Sequence, residues 1–234
     1  MRAAKQGAPR QGCPAPGLPS PGDRSIMATP TPETTDALPN GPLGEDAIHV
    51  CVDMQNLFAR DTAWHTPWLP RVLPRVRELA ARSPERTVFT RFVPARHPGE
   101  GRGTWRRYYE RWSSMTIDAL GEEMVELVPD LAGFAPPARV VDKHVYSPWL
   151  EPGLDHALRD LGAETLVITG GETDVCVLAT VLGAVDRGYR VVLATDGLCS
   201  SCDETHDAML TLYQQRFGQQ LETATIDQIL HNWR

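Results

Sequence analysis

The run Leu166-Val-Ile-Thr-Gly170-Gly171-Glu172-Thr173-Asp174-Val175-Cys176-Val177-Leu178 places a cysteine where a thiol can act as a nucleophile. An apolar stretch of strand length leads into a glycine pair, and the thiol follows at the start of a helical pattern. The N–H groups of a helix's first turn have no intrahelical partner and carry the positive end of the helix dipole. They stabilise a thiolate and can also hold an oxyanion, so this one position suits both attack on a carbonyl carbon and stabilisation of the charge that attack creates.

An activated thiol needs partners, and two other strand ends supply them. Ile48-His-Val50-Cys-Val52 is an apolar strand that ends in Asp53-Met54-Gln55-Asn56, and Arg139-Val140-Val141-Asp142 leads into Lys143-His144-Val145-Tyr146-Ser147-Pro148. Asp53, Lys143 and Cys176 therefore all fall at strand C-termini. In an open parallel sheet that edge is where loops converge and ligands bind. Taken singly, each residue has a plainer reading: Asp53 as a helix N-cap, Lys143 as a salt-bridged surface residue, Cys176 as a small buried apolar group.

Three pieces, Val52-Asp53-Met54-Gln55, Asp142-Lys143-His144-Val145-Tyr146-Ser147 and Thr169-Gly170-Gly171-Glu172-Thr173-Asp174-Val175-Cys176-Val177, follow one another in an order that resembles the isochorismatase-like cysteine hydrolases. That family includes N-carbamoylsarcosine amidohydrolase, nicotinamidase, ureidoacrylate and biuret hydrolases, and streptothricin hydrolase. The resemblance spans about residue 46 to about residue 227. It implies a Rossmann-like three-layer α/β/α sandwich on a six-stranded parallel sheet in the order 3-2-1-4-5-6. It also implies Cys176 as nucleophile, Asp53 as general base, and Lys143 as the cation that lowers the thiol pKa and orients Asp53. A non-proline cis peptide is expected at Gly171-Glu172, with the backbone N–H groups of Glu172 and Cys176 as oxyanion hole. Glu172 departs from the small or apolar residue common in the family, which draws its side chain into substrate selection.

Residues 1 to about 45 are rich in Pro, Gly, Ala and Thr and poor in large apolar side chains, the composition of a disordered extension, and Met27 is an alternative start. From residue 46 to 234 the sequence reads as one hydrolase domain. Strands are expected at 47–52, 87–92, 139–144, 164–169, 190–195 and 221–225, with helices near 69–82, 104–118, 153–161, 175–187, 203–216 and 226–232. Continuous apolar runs such as Val191-Val192-Leu193-Ala194 indicate strands buried on both faces, and their alternation with helices indicates a parallel sheet.

The formal net charge of −7 argues against attraction to nucleic acid or an anionic membrane, and no run reaches the ~20 apolar residues of a membrane span. Five cysteines without framework spacing suit a reducing compartment, so a cytoplasmic location is expected. Cys199-Ser200-Ser201-Cys202 has redox-like spacing but lacks the surrounding motif and reads as a loop, with His206 and Asp207 on the solvent face of the next helix.

Nicotinamidases of the family carry an Asp-x-His zinc motif after the second strand. Here that stretch is Val93-Pro94-Ala95-Arg96-His97, with one isolated His, so no metal site and no cofactor are expected. Trp105, Tyr108, Tyr109 and Trp112 recur at helical spacing and mark an apolar face, either a pocket wall or a subunit contact of a homo-oligomer, dimer or tetramer. Gln55, Phe58, Tyr146, Trp149 and Trp112 are the candidate pocket residues. The function that follows is cleavage of a C–N bond in a small amide, ureide or lactam through a Cys176 thioester. Vinyl-ether hydrolysis and a non-catalytic metabolite-binding role are the alternatives, and an intact Asp-Lys-Cys set disfavours both.

Overall fold

Every residue of the strand Ala47–Val52 is buried, because successive side chains face two different helical layers. The computed structural model describes residues 37–234. Six strands, β1 (Ala47–Val52), β2 (Thr87–Phe92), β3 (Arg139–Lys143), β4 (Thr165–Gly171), β5 (Arg190–Cys199) and β6 (Leu221–Ala224), form one parallel sheet in the order β3-β2-β1-β4-β5-β6. Nine α-helices are described: α1 (Asn56–Ala59), α2 (Leu69–Arg82), α3 (Thr104–Arg111), α4 (Ile117–Leu120), α5 (Pro129–Ala132), α6 (Pro152–Asp160), α7 (Cys176–Asp186), α8 (Asp203–Arg216) and α9 (Ile226–Asn232).

Ile48, Val50 and Val52 point to the layer built from α6, α7 and α8, where they meet Leu154, Val177, Val181 and Tyr213. Ala47 and Cys51 point the other way, toward α2, α5 and α9, where Val76, Leu79, Leu131 and Ile229 close the second core. The three layers thus follow from the period-two alternation of each strand between two apolar helix faces.

The sheet order brings the ends of β1 and β4 side by side, with Val52 opposite Gly170. Gly170 has φ +106°, and a Cβ there would fall on the Val52 carbonyl oxygen. Glycine lets the two chains approach backbone to backbone, which sets Asp53 beside the turn that carries Cys176.

Two elements differ from expectation. The helix anticipated over 104–118 is three pieces: α3 ends at Arg111, a 3₁₀ turn covers Ser113–Met115, and α4 begins at Ile117. Thr116 Oγ1 donates to the Ser113 carbonyl (3.0 Å), a local bond that competes with helix continuation. Strand β5 runs on to Cys199, because its pairing jumps from Ile168↔Leu193 to Gly170↔Leu198 and the intervening residues bulge out.

The first 36 residues of the expected disordered extension lie outside the described residues. Leu38 and Leu43 are buried, and Leu43 bridges Trp233, so residues 37–45 pack on the domain. Among the described residues, no helix is long and apolar enough to cross a membrane.

Candidate active site

Lys143, 0% exposed, ends β3 and lies across β2 from the end of β1, a gap of about 10 Å between backbones. A lysine side chain is long enough to cross it. Its Nζ passes 5.1 Å from the centre of the Phe92 ring and reaches Asp53 Oδ2 at 2.7 Å, the Val145 carbonyl at 3.2 Å and Cys176 Sγ at 3.4 Å. The structure thereby brings Asp53, Lys143 and Cys176 into one buried cluster.

Asp53 sits just past β1 at φ 52°, a left-handed conformation that Asp tolerates better than most residues. Its N–H bonds to Thr90, and Thr90 Oγ1 donates to Asp53 Oδ1 at 2.6 Å. Oδ2 is held only by the Lys143 ion pair: no described residue gives it a well-aligned hydrogen bond. That oxygen is the one free to accept a proton.

Burial works to lower the Lys143 pKa, but the charges of Asp53 and Cys176 and the bonds to them outweigh it, and the group is held above the ordinary lysine value. It stays an ammonium. The Cys176 thiol is pushed up, chiefly by burial and further by Asp53, against the downward pull of Lys143. Lys143 thus pulls the thiol down, as expected of it, but desolvation outweighs that pull, and the net upward direction favours the neutral thiol at rest.

Cys176 opens α7, and neither its N–H nor that of Glu172 donates to a backbone acceptor among the described residues. The Gly171–Glu172 peptide is cis. The Glu172 carboxylate accepts a bond from the Ser201 N–H (2.9 Å) and, raised by burial, lies above its ordinary pKa.

Above the thiol is a cavity of about 60 Å³, lined by Phe58, Trp64, Phe92, Tyr108, Tyr146, Glu172 and Val175 with Cys176. Of the pocket candidates, Phe58 and Tyr146 line it. Gln55 does not: its amide is fully used, donating to the Phe92 and Val125 carbonyls and accepting from the Phe92 N–H, so it ties loops together. Trp149 packs in the core on Gly183 of α7 and donates to the Thr180 carbonyl at 2.9 Å. Trp112 stands one layer back, edge-on to Trp64. Tyr108, on the aromatic helix face read as a pocket wall or a subunit contact, lines it as well; Trp64, Phe92 and Val175 were missed as lining residues, and their only sequence signal is the presence of apolar side chains near the motifs.

His206 is buried, with Nδ1 2.8 Å from Thr173 Oγ1 and its ring against Trp68, which corrects its expected place on the solvent face; Asp207 is exposed. Cys199 is a free buried thiol at the end of β5. No group of three His, Cys, Asp or Glu able to hold a metal is found among the described residues, and His97 is exposed, so the residues after β2 do not fit zinc.

A parallel-sheet α/β sandwich with a buried cysteine, lysine and aspartate at the C-terminal edge of its strands defines the class of protein. The chain belongs to the isochorismatase family, whose domain model matches residues 47–225, and it is a hydrolase of that family. It is 25% identical over 196 residues to Nicotinamidase 3 of Arabidopsis thaliana, covering 82% of this chain and 91% of the relative. Among solved structures it is similar to a cysteine hydrolase from Pseudomonas syringae pv. phaseolicola 1448A (TM-score 0.68, 23% identity, 81% of this chain and 94% of that one). An N-carbamoylsarcosine amidase from Thermoplasma acidophilum is also similar (TM-score 0.63, 22% identity, 77% and 96%). These likenesses confirm the sandwich and its strand order.

Proposed function

We propose that the protein is a metal-free cysteine amidohydrolase that cleaves a C–N bond of a small amide, ureide or lactam. The observation that carries this reading is Lys143 Nζ, buried between Asp53 Oδ2 (2.7 Å) and Cys176 Sγ (3.4 Å) at the base of the cavity. As Sγ bonds to the carbonyl carbon, the thiol proton passes to Asp53 and the carbonyl oxygen becomes an oxyanion facing the N–H groups of Glu172 and Cys176. The oxyanion collapses, the C–N bond breaks, and Asp53 returns the proton to the leaving nitrogen. Water then attacks the thioester while Asp53 takes its proton. The C–S bond breaks, the acid leaves, and the proton goes back to sulfur. Lys143 remains charged throughout and offsets the negative charge on each side of these transfers.

The neutral resting thiol fits this order of events, because proton removal is coupled to attack instead of preceding it. The residues after β2 offer no zinc ligands, so no step passes through a metal. The test is ammonia or amine release over a panel of nicotinamide, N-carbamoyl amino acids, biuret, ureidoacrylate and lactams, with and without chelator. Intact-protein mass spectrometry of the quenched reaction should show acyl mass added at Cys176. A productive substrate that never adds mass, or full turnover by Cys176→Ala, would refute the thioester.

A further inference from the structure

Once the catalytic charges are paired, one charge in the cavity is left over. Asp53 and Lys143 neutralise each other, and the Cys176 thiol is neutral at rest. Glu172 remains, a partly buried carboxyl in a cavity otherwise lined by aromatic rings, Val175 and the thiol. Its protein partner is Ser201, and among the described residues no basic side chain forms an ion pair with it. A carboxylate in such surroundings is costly unless a cation meets it.

The walls opposite are suited to supply the rest of a cation's surroundings. Trp64 is the hub: its ring centre lies 6.4 Å from that of Phe58, 5.9 Å from Phe92 and 5.8 Å from Tyr108. Phe92 already has Lys143 Nζ near its face, but the rings of Phe58, Trp64 and Tyr146 have no cation on them among the described contacts. Several ring faces around a shared space attract a desolvated cation through their quadrupoles.

We propose that this cavity selects amides that carry a nitrogen cation, held between the Glu172 carboxylate and the rings of Phe58, Trp64, Tyr108 and Tyr146, with the amide carbonyl directed to Cys176. The proposal rests on the hydrolase reading above and names its substrate class. Glu172 acts here as a specificity residue through its side chain, separately from its backbone N–H.

Binding to the full-length Cys176→Ala protein, followed by titration calorimetry, tests it without requiring turnover. The probes are betaine amide, which carries a trimethylammonium group, and its neutral isostere 3,3-dimethylbutanamide. Betaine amide should bind at least about tenfold more tightly. Adding Glu172→Gln, which keeps an acceptor for Ser201, should bring the two within about twofold at an unchanged melting temperature. Tyr108→Leu, on the half-buried face of α3, should weaken the cation several-fold and spare the isostere. Equal or tighter binding of the isostere, a ratio untouched by Glu172→Gln, or no binding of betaine amide up to about 10 mM would overturn the proposal. Those outcomes leave the hydrolytic reading standing. Conversely, a wild-type protein that prefers the cation yet never acylates Cys176 on any amide would count against hydrolysis alone.

Discussion

Lys143 and Asp53 bury opposite charges with almost no solvent contact, so each depends on the other. Lys143→Met keeps most of the unbranched side chain and removes its charge, leaving a buried carboxylate without a counter-ion. The expected loss of stability is about 3–5 kcal/mol, read from the urea midpoint, and activity should vanish. The double variant with Asp53→Asn should recover most of that stability and none of the activity. Asp53→Asn alone should lower the rate by ~10²–10⁴, since the amide cannot take the thiol proton. An Asp53→Asn protein with full turnover would remove Asp53 as the general base.

His49 ties the central strands together, with Nε2 2.8 Å from Thr169 Oγ1 of β4 and Nδ1 3.5 Å from Thr87 Oγ1 of β2. Burial lowers its pKa from 6.5 to about 3. The unfolded chain binds a proton on this residue as pH falls below about 6.5, while the folded chain does so only near 3. Stability should therefore fall by up to roughly 1.4 kcal/mol per pH unit through that window and be independent of His49 above it. Urea titrations at pH 7, 6, 5 and 4 should show a shallower decline for His49→Gln than for wild type; equal slopes would remove His49 as the cause. At this scale the sequence was most readable. Apolar runs of strand length placed the strands, most plainly β1, β4 and β5 and least plainly the short β6 with Glu222 and Thr223 in it, and the three strand-end motifs located Asp53, Lys143 and Cys176. What stayed hidden depends on neighbours distant in sequence. The β5 extension needs the β4 register, the break after α3 needs the local Thr116 bond, and the direction in which Gln55, Trp64 and Trp149 point is decided by the surfaces they meet.

For the molecule as a whole, Leu38 and Leu43 join Ile229 and Trp233 in the core beneath α9, so the folded unit begins before β1. The contribution of this edge is read by comparing a truncation of residues 1–36 with one of residues 1–45. Removing residues 1–45 takes two buried leucines from that core and should destabilise the protein by about 3–5 kcal/mol. Equal melting temperatures for the two truncations would show that this edge contributes little.

The protonated state of Cys176 at rest also bears on oxidative damage. Peroxides react with thiolates, so a thiol kept neutral by burial should be spared sulfenic acid formation until a substrate triggers deprotonation. The rate of inactivation by hydrogen peroxide should then be slow at pH 7 and keep rising through pH 10, with no plateau on the neutral side. A plateau reached below pH 7 would mean that the thiolate is the resting form. Endurance under oxidants would in that case be lost, although the same three side chains still met at the sheet edge.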